Sequence, residues 1–275
     1  MGMAIIYGLK VNLSVAIVAM INQTAVAAGS ADGVQGPPQV EPVSDGPFLW
    51  SEKQKGAILS AYFFGYFVTQ LPGGRLAELY SGKYVFLAAV LINAIGTILS
   101  PVLAFLDYRA LMVARVIEGL GGGVTFPAMN VLIAAWSPPD ERSTIASVAL
   151  SGVSIGTVVS MMSSGIINTL YGWEFIFYIH GGLSLFWCVL WIIFVSDSPA
   201  SHRSALIALL SRHLFCLGIY SFASEAEKEF IAGSQGYKVG EKLAVPWRQI
   251  FTSVPFLALA VSHFCTNIGW LRSSC

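Results

Sequence analysis

Charge is scarce in this chain, and the scarcity decides its class. Asp, Glu, Lys and Arg make up only 11% of the 275 residues, against 55% hydrophobic, and the mean hydropathy is +0.70. Soluble domains carry roughly 25% charged residues, so a water-soluble fold is excluded. A net charge of +0 leaves no basic surface for nucleic acid. Cysteine is also sparse. Cys188 and Cys265 lie in apolar runs, Cys216 and Cys275 elsewhere, and no C-x-x-C spacing occurs. No metal site or disulfide framework is therefore signalled, and no cofactor is implied. Nor is there a nucleophile–base pair to mark a membrane enzyme.

What abounds is long apolar sequence. A helix needs about 20 residues to cross about 30 Å of hydrocarbon. Seven stretches reach that length, roughly 4–21, 56–76, 84–106, 110–136, 144–170, 175–195 and 250–271. Lipid offers no partner to open backbone groups, so each is expected to span as a helix. The first has no basic start and keeps Lys10 in its interior, which favours a span over a cleaved signal peptide.

Loop charge sets the orientation. The segment 28–50 is rich in Gly and Pro and holds Asp32, Glu41 and Asp45 without any Lys or Arg. Arg75, Lys83, Arg142 and the basic-and-acidic run after the sixth span fall on the other side, while the loops on the Gly/Pro-rich side offer only Lys53, Lys55 and Arg109. The positive-inside bias puts the N-terminus in the cytoplasm. Two N-x-S/T patterns, at Asn12 and Asn22, read as chance matches beside or within a span.

Two charges sit inside the fourth span, Arg115 and Glu118. Each costs about 2.5–3.5 kcal/mol at bilayer depth on insertion scales, so the pair is expected to have a use. Their i,i+3 spacing lets them share a helix face. One reading is a buried ion pair that only sets packing; the other gives Arg115 an anion to attract and Glu118 a change of protonation. Burial and the neighbouring guanidinium act on that carboxyl in opposite senses, which leaves its state open. Gly119, Gly121, Gly122 and Gly123, then Ser147, Ser151, Gly152, Ser154 and Gly156, are small enough for close helix approach. Pro127 removes a backbone donor and is expected to kink the fourth span. His180 in the sixth span reads as a hydrogen-bonded packing residue.

Several motifs occur in a fixed order. Lys10-Val-Asn-Leu-Ser-Val-Ala-Ile-Val-Ala-Met20 fills the first span, and Tyr62-Phe-Phe-Gly-Tyr-Phe-Val-Thr-Gln-Leu-Pro-Gly-Gly74 ends the second, before Arg75, Glu78 and Lys83. Arg115-Val-Ile-Glu-Gly-Leu-Gly-Gly-Gly-Val-Thr-Phe-Pro-Ala-Met129 leads to Trp136-Ser-Pro-Pro-Asp-Glu-Arg-Ser143, and Trp173-Glu-Phe-Ile-Phe-Tyr178 and Asp197-Ser-Pro199 follow. Together they resemble the anion:cation symporter family of the major facilitator superfamily, which takes in sialin-like, vesicular glutamate transporter-like and sodium–phosphate cotransporter-like carriers.

The resemblance implies an all-α polytopic carrier of two six-helix halves with substrate held between them, working by alternating access. Residue by residue, Tyr7, Lys10 and Arg115 match positions that face the anion, and Glu118 matches a coupling acid. Arg75, Glu78, Lys83, Glu141 and Arg142 match a cytoplasmic gate of salt bridges; as solvated loop charges they need no function. Lys10 also admits a plainer reading, snorkelling to the cytoplasmic face, and Tyr7 reads equally as an interfacial aromatic.

Departures bear on substrate. Lys10 stands where the family usually has arginine, and an ammonium cannot grip an oxyanion with two parallel bonds. Gly122 stands in place of a second acid, Leu59 in place of a histidine of the glutamate carriers, and Thr266 in place of their seventh-helix arginine.

The expected organisation is a six-helix bundle at 1–196, a cytoplasmic inter-half loop at 197–249 and a seventh helix at 250–275 that stops short. Residues 203–222 read as an amphipathic or poorly ordered insert, because a central Arg212 disfavours spanning. The function expected is secondary transport of a small organic or inorganic anion, phosphate-like or carboxylate, with sodium or a proton as coupling ion. The plasma membrane and a vesicle or lysosome membrane both remain open. The alternative is a non-transporting membrane protein that pairs with or regulates full-length carriers.

Overall fold

The computed structural model describes residues 1–22, 46–138, 140–195, 252–254 and 257–258. The chain divides into two units, Met1–Tyr237 and Lys238–Cys275. The loop at 197–249, its insert at 203–222, most of the seventh span and Thr266 lie outside the described residues.

In the first unit the described residues form α1 (Gly2–Met20), α2 (Glu52–Leu79), α3 (Gly82–Leu106), α4 (Tyr108–Gly123), α5 (Thr125–Trp136), α6 (Arg142–Tyr171) and α7 (Trp173–Phe194). Local chemistry sets their boundaries. At the start of α2, Ser51 Oγ accepts from Gln54 N while Ser51 N donates to Gln54 Oε1, so two orphan donors are satisfied reciprocally. Ser81 caps α3 and Asp107 caps α4 in the same sense. Gly172 joins α6 to α7 as a single residue at φ 95°, a backbone setting that glycine adopts without strain.

The fourth span is broken, as Pro127 foretold. Its halves α4 and α5 meet at Val124, and the proline ring has no N–H for the Gly123 carbonyl one turn back. Val124 N bonds instead to Gly121 O at 3.3 Å, and Thr125 Oγ1 donates to Gly122 O at 2.6 Å. Counting α4 and α5 as one, the described helices make the expected six-helix bundle. Five of these spans are long and apolar enough to cross a membrane. The other, α2, has 28 residues but is less apolar, because Tyr62, Tyr66, Thr69 and Gln70 stand midway along it.

Glycine decides which helices touch. α2 lies along α4, where added methyls at Gly65, Gly119 or Gly123 would run into backbone of the facing helix. α1 lies along α6 through Gly8 and Gly156. Small residues thus bring backbones together where lipid supplies no hydrophobic drive. The expectation fails for Ser147, Ser151 and Ser154, which are exposed. The Ser147 and Ser151 hydroxyls donate back to carbonyls of their own helix, so they need no neighbour.

Two apolar clusters occupy opposite ends of the bundle. One gathers Leu13, Ile17, Ile58, Ala104, Leu111 and Phe177; the other gathers Met3, Ile6, Ala77, Phe86, Ala128 and Cys188. On every helix that contributes to both, the residues between them include polar ones. Lys10, Tyr62, Thr97, Arg115, Glu118 and Ser184 all fall in this middle layer.

The α2–α4 contact can be tested by a methyl group. Gly119→Ala is expected to lower stability by about 1–3 kcal/mol through overpacking. Gly182→Ala, where nothing lies within 4 Å, is expected to be neutral or slightly stabilising. Thermal unfolding of the purified variants in detergent checks the difference, and equal midpoints would refute the close approach.

Candidate functional site

Arg115 and Glu118 sit in the middle layer on α4. Arg115 Nη1 lies 2.9 Å from Glu118 Oε2, and both side chains are 2% exposed. The carboxylate has room because α3 presents glycine to it: a Cβ on Gly96 would lie 2.6 Å from Glu118 Oε1. Ser100, one turn further along α3, donates to that oxygen at 3.5 Å.

The guanidinium is only partly satisfied. Nε and Nη2 are buried and have no hydrogen-bond partner among the described residues. These two N–H groups form one edge of the guanidinium plane, a fork that matches a carboxylate or phosphate. Tyr62 Oη and Thr97 Oγ1 are likewise buried without a partner. Tyr62 lies against α4 on the same stretch as the ion pair, its carbonyl facing Gly119 and its hydroxyl facing Gly122. An added methyl at Gly122 would collide with the Tyr62 hydroxyl, so the position where the family resemblance expects a second acid is filled by a phenol instead.

Lys10 lies midway along α1, with its ammonium over the rings of Tyr7, Tyr62, Phe63 and Tyr66 at 4.7–5.6 Å from their centroids. Each is within the roughly 6 Å reach of a cation–π contact. Tyr7 is half-buried inside the bundle, where its ring meets Phe126 edge-on at 5.9 Å. Through Tyr62 the structure brings Lys10 and the Arg115–Glu118 pair around one aromatic side chain. On the α6 side of α1, Ser160 Oγ lies 2.8 Å from Asn12 Oδ1 and 3.0 Å from Gly8 O.

The five gate residues lie near helix ends. Arg75 pairs with Glu78 at 2.8 Å within α2. Lys83 Nζ donates to Ile192 O at 3.2 Å, and Arg142 Nη2 donates to Ala134 O at 3.3 Å. Both acceptors are carbonyls in a last helical turn, which attract cations. Glu141 is exposed at the start of α6. His180 uses both ring nitrogens, Nδ1 at 2.8 Å from Ile176 O and Nε2 at 3.0 Å from Ser163 Oγ, and so ties α7 to α6. Leu59 packs against the apolar cluster around Ile58.

Sequence reasoning gave no role to Tyr62, Phe63 or Tyr66. Their signal was present, since Tyr62 and Tyr66 are spaced i,i+4 and share a helix face. Gly96 and Ser100 were also missed, on a span that carries no charge of its own.

A six-span bundle with a polar layer between two apolar clusters defines a polytopic membrane protein. The chain belongs to the Major Facilitator Superfamily, whose sequence profile matches residues 1–271. It is 35% identical to sialin of Homo sapiens over 272 residues, covering 97% of this chain and 51% of that protein. It is 32% identical to vesicular glutamate transporter 1 of Xenopus tropicalis, covering 97% of this chain and 42% of that protein. These relatives fit the anion:cation symporter family. The chain spans about half the length of the curated relatives it matches. The xylose transporter XylE of E. coli, in an inward-open conformation, aligns at 14% identity with a TM-score of 0.49, covering 80% of this chain and 56% of that one.

A buried ion pair makes a sharp prediction about stability. Glu118→Ala leaves Arg115 charged and unpaired, and is expected to cost about 3–5 kcal/mol. The double variant Arg115→Met with Glu118→Leu is expected to be more stable than either single change. Unfolding in detergent measures all three; a double variant less stable than both singles would contradict the pairing.

Proposed function

We propose that this chain contributes to a secondary transporter of small organic or inorganic anions, driven by sodium or protons and working by alternating access. The observation that carries this reading is the free Nε–Nη2 edge of Arg115. A buried donor without a partner forfeits hydrogen-bond energy, and an arriving oxyanion supplies two acceptors at once. Glu118 already holds Nη1, so the cargo meets the opposite edge of the same guanidinium.

Glu118 has the coupling role in this reading. It neutralises Arg115 in the absence of cargo and competes with an anion for the same cation. Protonation of Glu118, or a sodium ion beside it, weakens that competition and favours loading. Lys10 and Tyr7 complete the site from α1. Arg115 and Glu118 are buried in the state described, so cargo reaches them only if helices part, as in a rigid-body switch. The contacts of Arg75, Glu78, Lys83, Glu141 and Arg142 at one end of the bundle are the ones that such a switch would make and break. The distribution of Lys and Arg favours that end as cytoplasmic.

The test is uptake of labelled phosphate, glutamate and sialic acid by proteoliposomes containing the protein, under a sodium or a proton gradient. One of the three is expected to accumulate under one gradient; movement of none under either would end the proposal. Arg115→Lys keeps the charge but removes the planar fork. It is expected to reduce uptake by about tenfold or more, equivalent to about 1.4 kcal/mol, with membrane insertion unchanged. Full uptake by that variant would deny Arg115 its role.

A further inference from the structure

The Lys10 side chain sits in a setting better known for recognising ligands than for holding a lysine. Four rings surround its ammonium, Phe63 at 4.7 Å, Tyr7 and Tyr66 at 5.1 Å and Tyr62 at 5.6 Å. Tyr7 comes from α1 and the other three from α2, so two helices build the enclosure. The rings brace one another: Tyr62 and Phe63 meet edge-on at 6.0 Å, and Tyr62 and Tyr66 stack at 6.3 Å. No carboxylate pairs with Lys10 among the described residues. A cluster of ring faces with one cation at its centre is the arrangement that binds organic ammonium groups.

We propose that Tyr7, Tyr62, Phe63 and Tyr66 form an ammonium site, and that Lys10 fills it from within so that the adjoining Arg115 site admits anions and turns away zwitterions. The selectivity rests on the transport reading above; the ammonium site does not. The physical reasoning is one of occupancy. Tyr62 adjoins both places, so an amino acid or betaine with its carboxylate on the Arg115 fork would direct its ammonium toward the rings. Lys10 already holds that position, covalently attached and therefore at high effective concentration. A phosphate or simple carboxylate has no second charge to place and meets two cations.

The 275-residue chain in detergent provides the test, with ethylammonium and glycine betaine as probes followed by saturation-transfer NMR. Lys10→Ala empties the ring cluster and is expected to bind both probes saturably. The unaltered chain, Lys10→Met and the double variant Lys10→Ala with Phe63→Ala are each expected to bind about tenfold or more weakly. No saturable binding by Lys10→Ala, or equal binding by the unaltered chain, would overturn the proposal. A second measurement does not depend on the folding of Lys10→Ala. In the unaltered chain Lys10 is expected to acylate more slowly than exposed Lys53, and in Phe63→Ala its rate is expected to rise; an unchanged rate would also overturn the proposal. Both readouts are binding or reactivity, so absence of anion uptake would count against the transport reading alone.

Discussion

The contact between Arg115 and Glu118, 2.9 Å long and closed to solvent, is the constraint around which the rest of this bundle is arranged. An ion pair in a low-dielectric interior persists only when its geometry is good and its remaining polar atoms have somewhere to turn. Here α3 gives the carboxylate space at Gly96 and a hydroxyl at Ser100. α2 lays Tyr62 against Gly119 and Gly122, just beyond the pair on α4. The polar atoms left over are mostly donors, the Nε and Nη2 of Arg115 and the hydroxyls of Tyr62 and Thr97. A buried site with surplus donors is suited to an anion.

That arrangement depends on packing above and below it. The two apolar clusters lie toward opposite ends of the spans, and the polar residues lie between them. Burial at the ends holds the helices together, so the middle can keep unsatisfied groups that would unfold a weaker core. The same division gives the glycines their place. Gly65, Gly119 and Gly123 let α2 and α4 touch at the level of Tyr62 and Tyr66, and Gly122 leaves room for the Tyr62 hydroxyl. Close approach and site formation are one event on these two helices. The break at Val124 falls one residue after that glycine run.

Much of this was legible in the residues. Composition alone made the chain a membrane protein, long apolar stretches located the spans, and Pro127 announced the broken fourth helix. The order of the motifs around Lys10, Tyr62 and Arg115 reached the family. Reading failed where a residue's neighbour lies far away in sequence. The carbonyls that Lys83 and Arg142 reach, each near the end of a different helix, could not be read from the chain. Ser147 and Ser151 looked like packing residues, yet they are satisfied on their own helix and stay exposed.

The sequence by itself determined that two opposite charges share one face of the fourth span, because i,i+3 spacing is a property of a single helix. It placed Lys10 within the first span and left open where its ammonium goes. Only the tertiary structure decided what those charges meet. Gly96 opposite Glu118, four rings around Lys10 and an open edge on Arg115 all arise between helices, and their register is set by glycine contacts on α2 and α4 and the α3 surface beside them. Spacing along one helix is local geometry. The surroundings of a buried charge depend on how several helices pack at once.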